Sequence, residues 1–268
     1  EDARKSLAPS QEVLDRPRSV VAAGHAPQFA EFAAEWMATY VKPNLKPATT
    51  HGWASNLHAH LLPWFGPRRL DTINALDVER YKAAKMGVGL SAATVNKHLT
   101  LLRRLLQSAV DWDRLGAVPK CKKLREPPPP FTFLSPDECA RLIADTAERR
   151  YHEMVVLALR TGMRIGEILA LDWSDLDFER GTLTVRRGLS AGVLTSPKNN
   201  RERHIPLTDD LREVLARRCE GAGLVFKTRT GRPIAQPDPR GGLHRMCRRT
   251  GVRRVGWHAL RHTFATHM

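Results

Sequence analysis

The chain has 268 residues, of which 42% are hydrophobic, and it carries a formal net charge of +15 at pH 7. This length is enough for two domains of ordinary size, and the hydrophobic content supports folded cores rather than a disordered chain. Such an excess of positive charge usually indicates a polyanionic partner, most often nucleic acid, although a solvated basic surface has the same composition.

The cysteines and the hydropathy pattern narrow the class of protein further. Cys121, Cys139, Cys219 and Cys247 are far apart and form no CxxC pair, which argues against a zinc ribbon and against a disulfide framework. The sequence shows no apolar run of membrane-spanning length, no signal-peptide pattern and no basic amphipathic helix with a hydrophobic anchor. We therefore expect a cytoplasmic protein without membrane contact. The first residue is Glu1, which indicates an internal piece of a longer protein.

The first part of the chain predicts a helical unit. Residues 1–25 are polar and proline-bearing, and we interpret them as a linker or the end of a missing upstream segment, with a short helix near Ser10–Leu14. Residues 26–118 follow as the helical unit, in which Pro47 breaks a first helix and starts a second that runs toward His60. The first helix has its apolar residues at helical spacing: Phe29, Phe32, Ala33, Trp36 and Tyr40.

Further along this unit, Asp77 is expected to cap a helix that carries Val78 and Tyr81. Ser91 then has the position of an N-cap for a long helix that begins at Ala92. The apolar side of that helix consists of Val95, Leu99, Leu102, Leu106, Ala109 and Val110. Its other side carries Asn96, Lys97, Arg103 and Arg104. We expect these polar and basic residues to contact DNA, and an ordinary solvated helix face remains the alternative.

Residues 119–130, PKCKKLREPPPP, predict a linker between two domains. The proline run favours an extended, semi-rigid segment. Four cations precede the run: Lys120, Lys122, Lys123 and Arg125. A basic, stiff tether suits a protein that wraps around an anion, and a plain spacer remains the alternative.

Residues 131–268 predict a second, mixed α/β domain. Ser135 followed by Pro136 is a strong helix start. Alternating patterns predict strands at Thr182–Arg187 and Arg203–Leu207, with a loop between them. Five further helices are expected: one from about Glu153 that ends at Gly162, and others that begin near Met163, Asp209, Gly242 and His258.

Two cationic residues in this domain have positions that suit anion binding. Arg164 lies in TGMRIGE, in the first turn after Gly162, where free N–H groups and the helix dipole favour an anion; Glu167 can orient its guanidinium. The alternative is an ordinary surface Arg–Glu pair. Lys198 lies in SPKNNRERHIPL between the two predicted strands, and a hairpin tip lets its side chain reach outward. The alternative is a lysine that only favours solubility.

The stretch Gly256–Met268, GWHALRHTFATHM, sets His258 and Arg261 three residues apart, so that both face the same way on a helix. Together they supply a proton-transfer group and a permanent bidentate donor, which suits a bound phosphate. We expect the apolar residues Leu260, Phe264 and Ala265 to face inward.

A zinc pair at His258 and His262 is a weaker interpretation. The spacing fits, but there is no HExxH motif and Arg261 lies between the two histidines. We expect His262 and His267 to be structural, and we expect no metal.

Three motifs occur in order: TGxRxGExLxLxWxDxD, a lysine-bearing hairpin that ends in RxRxIPL, and HxLRHTxAT. As a set they are highly specific, and with them the chain resembles the tyrosine recombinase, or phage integrase, family over most of residues 27–268. The resemblance implies a mainly α-helical protein with a small β-sheet in the second domain. The first domain would be the family's helical SAM-like core-binding domain and the second its mixed α/β catalytic domain, with an arm-site-binding domain absent upstream.

The resemblance also implies roles for particular residues. Arg164 corresponds to the first catalytic arginine, Glu167 to its supporting acid, Lys198 to the hairpin lysine, and His258 and Arg261 to the histidine and second arginine. Attack on a DNA phosphate builds negative charge on the non-bridging oxygens, which two arginines can clamp without a metal.

The resemblance also implies roles for Lys198 and His258, the cofactor requirement and the binding partner. Lys198 is suited to protonate the leaving 5′-oxygen and His258 to act in acid–base transfer. A covalent phosphoryl-protein intermediate conserves the bond energy, so that no ATP and no other cofactor is expected. The implied partner is double-stranded DNA, on which the full-length protein would act as a homo-tetramer.

The sequence departs from the family pattern at the nucleophile, a tyrosine that follows the HxLRH box. The chain ends at Met268, and its three tyrosines, Tyr40, Tyr81 and Tyr151, all precede the box. We therefore assign no nucleophile and expect the chain, truncated before that tyrosine, to bind DNA without cleaving it. Three hypotheses stay open: part of a site-specific recombinase, a non-catalytic DNA-binding protein with the same fold, and, ranked last, a type IB topoisomerase.

Overall fold

The computed structural model describes six stretches of the chain and divides it into two compact units, Glu1–Pro128 and Pro129–Met268. The described stretches are 26–128, 132–190, 192–195, 202–217, 222–234 and 238–267. The helix predicted near Ser10–Leu14, as well as Lys198 and Cys219, lies outside the described residues.

The described part of the first unit is helical, as predicted. Its α-helices are α1 (Phe29–Trp36), α2 (Lys42–Asn44), α3 (Pro47–Asn56), α4 (Leu62–Phe65), α5 (Ala75–Gly87) and α6 (Ala92–Asp111). Single π-helical turns, Met37–Val41 and Leu57–Leu61, join α1 to α2 and α3 to α4, and a 3-10 turn covers Leu70–Thr72.

The apolar stripe predicted for the first helix forms the centre of this unit. Phe29, Phe32, Ala33 and Trp36 are all fully buried, and Tyr40 is half-buried. The indole N–H of Trp36 donates to Ser108 Oγ at 2.9 Å, which satisfies its one polar atom and ties α1 to α6.

The cap of α5 differs from the prediction. Asn74, and not Asp77, is the N-cap: its side chain accepts from the Asp77 N–H at 3.2 Å. Asp77 sits three residues on, and its carboxylate accepts from the Asn74 N–H at 3.0 Å. In such a reciprocal capping box the acidic residue is at the third helical position and a different residue is the N-cap. Asp77 was therefore wrongly predicted to be the N-cap itself.

Helix α6 begins as predicted, with Ser91 Oγ accepting from the Thr94 N–H at 3.3 Å. Its predicted apolar residues are buried, apart from the half-buried Val110. The segment after α6 then runs back along it. The Leu124 N–H donates to Asn96 Oδ1 at 2.8 Å, and the Asn96 amide donates to the Leu124 carbonyl at 2.9 Å. Half of the segment predicted as a linker is therefore docked on the first unit.

The second unit combines helices with two small antiparallel sheets, which confirms the predicted fold class. Its helices are α7 (Pro136–Ala144), α8 (Arg149–Thr161), α9 (Ile165–Leu169), α10 (Asp209–Ala216), α11 (Asp238–Arg249) and α12 (Trp257–His267), with a 3-10 turn at Trp173–Asp175. The strands are β1 (Leu176–Asp177), β2 (Thr182–Val185), β3 (Gly188–Ser190), β4 (Val193–Thr195) and β5 (Arg203–Pro206).

The two predicted strands pair with each other, but a second hairpin lies between them. One sheet has the order β1-β2-β5, with Thr182 opposite Pro206 and Val185 opposite Arg203. The other sheet consists of β3 and β4. In the sequence Lys198 falls between β4 and β5, in a stretch that lies outside the described residues. The strands β3 and β4 are too short for an alternating pattern to be recognised.

Helix α8 lies at the centre of the second core. Its Met154, Val155, Leu157 and Ala158 are buried, and they belong to a continuous apolar run over residues 154–159. The predicted start of α7 is confirmed: Ser135 and Glu138 form a capping box. Helices α8 and α11 each begin four residues earlier than predicted. Within the part of the chain that the structure describes, no helix is long and apolar enough to cross a membrane.

Candidate functional site

The turn between α8 and α9 meets α12 at Gly162. This glycine ends α8 in the left-handed region, with φ of +60°. A Cβ at this position would lie 2.4 Å from the ring of Phe264, so that glycine is required both for the backbone angle and for the close approach of α12. The carbonyl of Gly162 accepts a hydrogen bond from the guanidinium of Arg261. The predicted anion-binding turn and the predicted HxLRH helix are thus joined directly.

Arg164 is the N-cap residue of α9, with Glu167 at the third helical position. The Arg164 N–H donates to Glu167 Oε2 at 2.9 Å, and its guanidinium donates to Oε1 at 3.0 Å. The carboxylate of Glu167 is buried, whereas 37% of the Arg164 side chain is exposed. The buried acid therefore fixes the guanidinium while leaving part of it open to an anion.

A third arginine, Arg203 at the start of β5, also binds this carboxylate. Its guanidinium donates to Glu167 Oε1 at 3.2 Å and to Oε2 at 2.6 Å, which is the bidentate geometry favoured by Arg–carboxylate pairs. Arg203 belongs to the RxRxIPL motif, from which no role was predicted for it. Arg203 and Glu167 are 36 residues apart, so that the sequence near either residue does not predict their contact. The contact forms in the folded unit, where Arg203 lies on β5, paired with β2.

The environment of Glu167 keeps it ionised. Burial by itself raises the pKa of the carboxyl. The hydrogen bonds from the Arg203 side chain and from the backbone and side chain of Arg164, together with the positive charge of Arg203, lower the pKa below its ordinary value. Glu167 is therefore a carboxylate at neutral pH. It can orient the arginines, but it is not suited to act as an acid.

Arg261 shares this electrostatic environment. Burial and the positive charges of Arg164 and Arg203 lower its guanidinium pKa, while Glu167 raises it. Three guanidinium groups thus influence one another around a single carboxylate. The cluster of Arg164, Glu167, Arg203 and Arg261, hereafter the arginine cluster, has an excess of positive charge, and a bound anion would relieve this excess.

Helix α12 presents His258 on its exposed side, one turn before Arg261. The ring of His258 contacts that of His262 edge to face, at 4.7 Å between centroids. Within the described residues, no group of three or more His, Cys, Asp or Glu side chains could hold a metal ion. The inward face of α12 differs in part from the prediction. Leu260 is buried, but Ala265 is exposed, and Thr263 is buried in its place.

Thr263 is buried because α12 is fastened to the start of the unit. Its hydroxyl accepts from the Leu134 N–H at 2.9 Å and donates to the Ala259 carbonyl at 2.8 Å. A polar residue with both bonds satisfied can be buried at little cost, which a pattern based on hydrophobicity does not detect.

The hairpin of β3 and β4 packs directly on α9. A Cβ on Gly166 would lie 2.6 Å from the carbonyl oxygen of Leu189 in β3, so that only glycine allows this approach. Strand β3 therefore lies next to α9, the helix that Arg164 caps. Lys198 comes after β4 in the sequence, and its own position lies outside the described residues.

In the first unit, the four predicted DNA-binding residues separate into two kinds. Lys97, Arg103 and Arg104 are exposed on α6. Asn96, in contrast, is only 4% exposed, and its amide bonds with Leu124 and Glu126 occupy its donors. We therefore leave Asn96 out of the candidate DNA-binding face. Arg103 and Arg104 line a groove of about 550 Å³ whose other wall includes Lys123 of the docked segment.

Tyr151, the tyrosine of the second unit, is a core residue. It is 4% exposed, and its hydroxyl donates to Asp238 Oδ1 at 2.6 Å, joining α8 to α11. Tyr40 and Tyr81 belong to the first unit.

Comparison with known protein families gives matches over both units. Residues 132–268 match the profile described as the phage integrase family, and residues 28–86 match that of the phage integrase N-terminal SAM-like domain. The tyrosine recombinase XerC-like protein of Caldanaerobacter subterraneus is 25% identical over 272 residues, which cover 86% of this chain and 69% of that protein. Tyrosine recombinase XerA of Pyrococcus furiosus is 28% identical over 202 residues, which cover 72% of this chain and 66% of that protein.

Solved structures show the same fold. The Tn1549 transposon integrase in complex with a circular intermediate DNA has a TM-score of 0.76 at 21% identity, covering 89% of this chain and 85% of that one. A lambda integrase tetramer bound to a Holliday junction has a TM-score of 0.72 at 17% identity, covering 92% of this chain and 74% of that one. The family matches, together with this fold, show that the chain belongs to the phage integrase family of tyrosine recombinases.

Proposed function

We propose that this chain binds double-stranded DNA and activates one backbone phosphate for strand cleavage and rejoining in site-specific recombination. The observation that carries the proposal is the arginine cluster: three guanidinium groups around one buried, ionised carboxylate, next to the exposed His258. A surface that merely binds DNA has no need of a buried carboxylate that fixes its arginines. A site that must stabilise charge in a transition state does need such preorganisation.

The proposed step is an in-line displacement at phosphorus. A nucleophilic hydroxyl attacks, the new O–P bond forms, and the bond from phosphorus to the 5′-oxygen breaks. The electron pair of that bond leaves with the 5′-oxygen, which takes a proton from Lys198, while His258 accepts the proton of the nucleophile. Arg164 and Arg261 neutralise the charge that builds on the two non-bridging oxygens.

In the family reaction the nucleophile is a tyrosine, and the product is a 3′-phosphotyrosyl ester. Reversal by a different 5′-hydroxyl rejoins the strand without ATP, since the ester keeps the energy of the broken bond. We assign this role to none of Tyr40, Tyr81 and Tyr151. The test below therefore supplies the nucleophile from solution.

Binding to the duplex is proposed to involve the exposed cations of α6, namely Lys97, Arg103 and Arg104. Such contacts with phosphate release counterions and give a strong salt dependence. Assembly as a tetramer on DNA, which the lambda integrase structure exhibits for that protein, is proposed for this one as well.

The proposal is tested with a nicked duplex and hydrogen peroxide as the attacking nucleophile. Because peroxide replaces the tyrosine, cleavage should depend on the arginine cluster together with Lys198 and His258 once DNA is bound. We expect peroxide-dependent strand cleavage by the wild-type chain and cleavage slower by about 100-fold or more in Arg164→Ala, with duplex affinity nearly equal in the two. Equal cleavage by both proteins would refute the proposed chemistry.

A second candidate function is DNA binding without cleavage. It is favoured by the fact that the exposed cations of α6 belong to the first unit and need no contribution from the arginine cluster. The same assay separates the two functions: a non-catalytic protein would bind the duplex with a steep salt dependence and give no peroxide-dependent product.

A further inference from the structure

Arg203 makes more hydrogen bonds with the buried carboxylate of the arginine cluster than the guanidinium of Arg164 does. Both oxygens of Glu167 accept from Arg203, at 3.2 and 2.6 Å, whereas the guanidinium of Arg164 makes one bond, at 3.0 Å. The remaining bond to Glu167 comes from the Arg164 backbone, at 2.9 Å. Two of these four hydrogen bonds to the carboxylate thus come from a residue with no assigned role.

This division of hydrogen bonds has an electrostatic consequence. If Arg164 were the only partner of Glu167, the two charges would cancel and the pair would attract an anion only weakly. Because Arg203 supplies a second positive charge to the same carboxylate, Arg164 keeps a net attraction for an anion. Glu167 can then orient Arg164 without neutralising the positive charge of Arg164.

We propose that Arg203 is a positioning residue that acts through Glu167: it holds the carboxylate in a bidentate grip, so that Arg164 is oriented and yet remains available to the phosphate. This inference rests on the proposed function and assigns a residue that the catalytic motifs leave out. It differs from a direct contact with phosphate, because both terminal nitrogens of Arg203 point at Glu167.

The backbone around Arg203 is rigid enough for this purpose. Arg203 lies opposite Val185 in the pairing of β5 with β2. The next residue, His204, is fixed by a side-chain hydrogen bond of 3.0 Å between its Nδ1 and the hydroxyl of Thr184. Register is therefore held by both the ladder and a cross-strand pair. The sheet presents Arg203 to α9 at a fixed distance, and Arg203 connects the sheet to Arg164.

Removal of Arg203 should change the ionisation of Glu167. Among the described residues, the charged groups that face this carboxylate are Arg164 from the start of α9, Arg203 from β5 and Arg261 from α12. Burial is the strongest single influence on the pKa of Glu167 and raises it, while the hydrogen bond from Arg203 is the strongest influence that lowers it. Without Arg203, the influence of burial should dominate and the pKa should rise.

The first experiment measures this directly in the Arg203→Met variant. With carbon-13 in the glutamate side chains, the Glu167 carboxyl signal is identified by its loss in Glu167→Gln and is then titrated. We expect a wild-type pKa below the ordinary range and an increase of about one pH unit or more in Arg203→Met. Arg203→Lys, which keeps the charge but lacks the planar fork, should give an intermediate value. An unchanged pKa in Arg203→Met would overturn the proposal.

Arg187→Met serves as the matched control. Arg187 donates to the buried Asp175 at 2.8 Å, and 36% of its side chain is exposed, against 34% for Arg203. The control therefore breaks a comparable pair of arginine and buried carboxylate in the same unit. Arg187→Met should leave the Glu167 pKa unchanged. A change in the Glu167 pKa that occurs in Arg203→Met and not in this control is then a local effect and not a general loss of folding.

The second experiment follows peroxide-dependent cleavage as a function of pH. In Arg203→Met we expect the maximal rate at neutral pH to fall by about 10- to 100-fold with little change in duplex affinity, the size typical of partners that orient a functional side chain. The acid limb of the profile should move to higher pH together with the Glu167 pKa, and Arg203→Lys should recover part of the rate. A lower rate with an unmoved acid limb would contradict an action through Glu167.

The two experiments separate the two proposals. If the wild-type chain binds the duplex but does not cleave it with peroxide, the proposed function fails. The titration of Glu167 still decides, in that case, whether Arg203 governs this carboxylate.

Discussion

The two units of this protein both carry arginines that suit DNA, but they hold them in different ways. In the arginine cluster, Arg164 and Arg203 share the buried Glu167, and Arg261 is bonded to the Gly162 carbonyl. On α6, the exposed Arg103 and Lys97 line two separate grooves, and within the described residues neither forms an ion pair with a buried carboxylate. Arginines fixed in advance can stabilise a transition state, whereas mobile cations contribute mainly to affinity.

This difference is tested most strongly by removing a fixed arginine. In Arg261→Ala or Arg164→Ala, we expect peroxide-dependent cleavage to fall by about 100- to 1000-fold, because a preorganised donor to the developing charge is removed. Duplex affinity should change by less than about threefold, since only one of many phosphate interactions is affected. Gel-shift and cleavage assays on the same nicked duplex measure the two effects. A drop in affinity equal to the drop in rate would show that the cluster serves binding alone.

The proposed role of Lys198 predicts an effect that depends on the leaving group. Lys198→Ala should slow cleavage by about 100-fold or more on ordinary DNA, because the 5′-oxygen then leaves without a proton. A duplex with sulfur in place of the bridging 5′-oxygen needs no such proton, and on it the variant should cleave at close to the wild-type rate. Equal defects on the two substrates would remove Lys198 from the role of general acid.

On α6, substitution should have the opposite pattern. The double variant Lys97→Ala, Arg103→Ala should weaken duplex binding, and the slope of log affinity against log salt should decrease by about one for each phosphate that the protein no longer neutralises. At saturating DNA the cleavage rate should stay within about twofold of the wild type. A wild-type salt slope in this variant would exclude these two residues from the DNA-binding face. A large drop in the cleavage rate at saturating DNA would show that the cations of α6 contribute to cleavage as well as to affinity.

The two units should also differ in their response to acid: as the pH falls, the first unit should begin to lose stability at a higher pH than the second. His98 is fully buried, its Nδ1 is bonded to the Tyr81 hydroxyl at 2.9 Å, and its ring stacks on His60 at 4.2 Å. Burial, together with the charges of His60 and Lys85, lowers the pKa of His98 to about 4. In the unfolded chain, His98 takes up a proton near its ordinary pKa of about 6.5. The free energy of unfolding should therefore decrease by about 3 kcal/mol as the pH falls from above 6.5 toward 4.

Denaturant unfolding followed across this pH range checks the prediction. In His98→Phe, which cannot titrate, the slope of stability against pH between these values should flatten, even if the variant is less stable throughout. Glu167 behaves differently: its pKa is lowered, so that its contribution is present above the ordinary carboxyl range and is lost only in stronger acid. An unchanged slope in His98→Phe would assign the acid sensitivity to other groups.

Much of the local structure followed from the sequence because its signals are short-range. Ser91 and Ser135 cap helices where predicted, since a cap needs only residues within one turn. Gly162 ends α8 for a similar reason. The burial of Phe29, Phe32, Ala33 and Trp36 followed from their spacing, because one face of a helix is set by its period of 3.6 residues.

The errors arose where a distant contact decided the outcome. Asn96 has the sequence position of an exposed polar residue, but Leu124 returns along α6 and covers it. Ala265 is exposed and Thr263 buried because Leu134, from the other end of the unit, bonds to the Thr263 hydroxyl. In each case the sequence near the residue contains no sign of its partner.

The sequence by itself thus determined the family pattern, the two helix-bearing units and the motif residues Arg164, Glu167, His258 and Arg261, since those depend on residue type and local spacing. Tertiary structure alone decided that Gly162 receives Arg261 and that Arg203 binds Glu167. The physical reason is that a buried carboxylate draws its partners from whichever strands and helices the core packs beside it. That packing is set by the whole unit and not by any one motif.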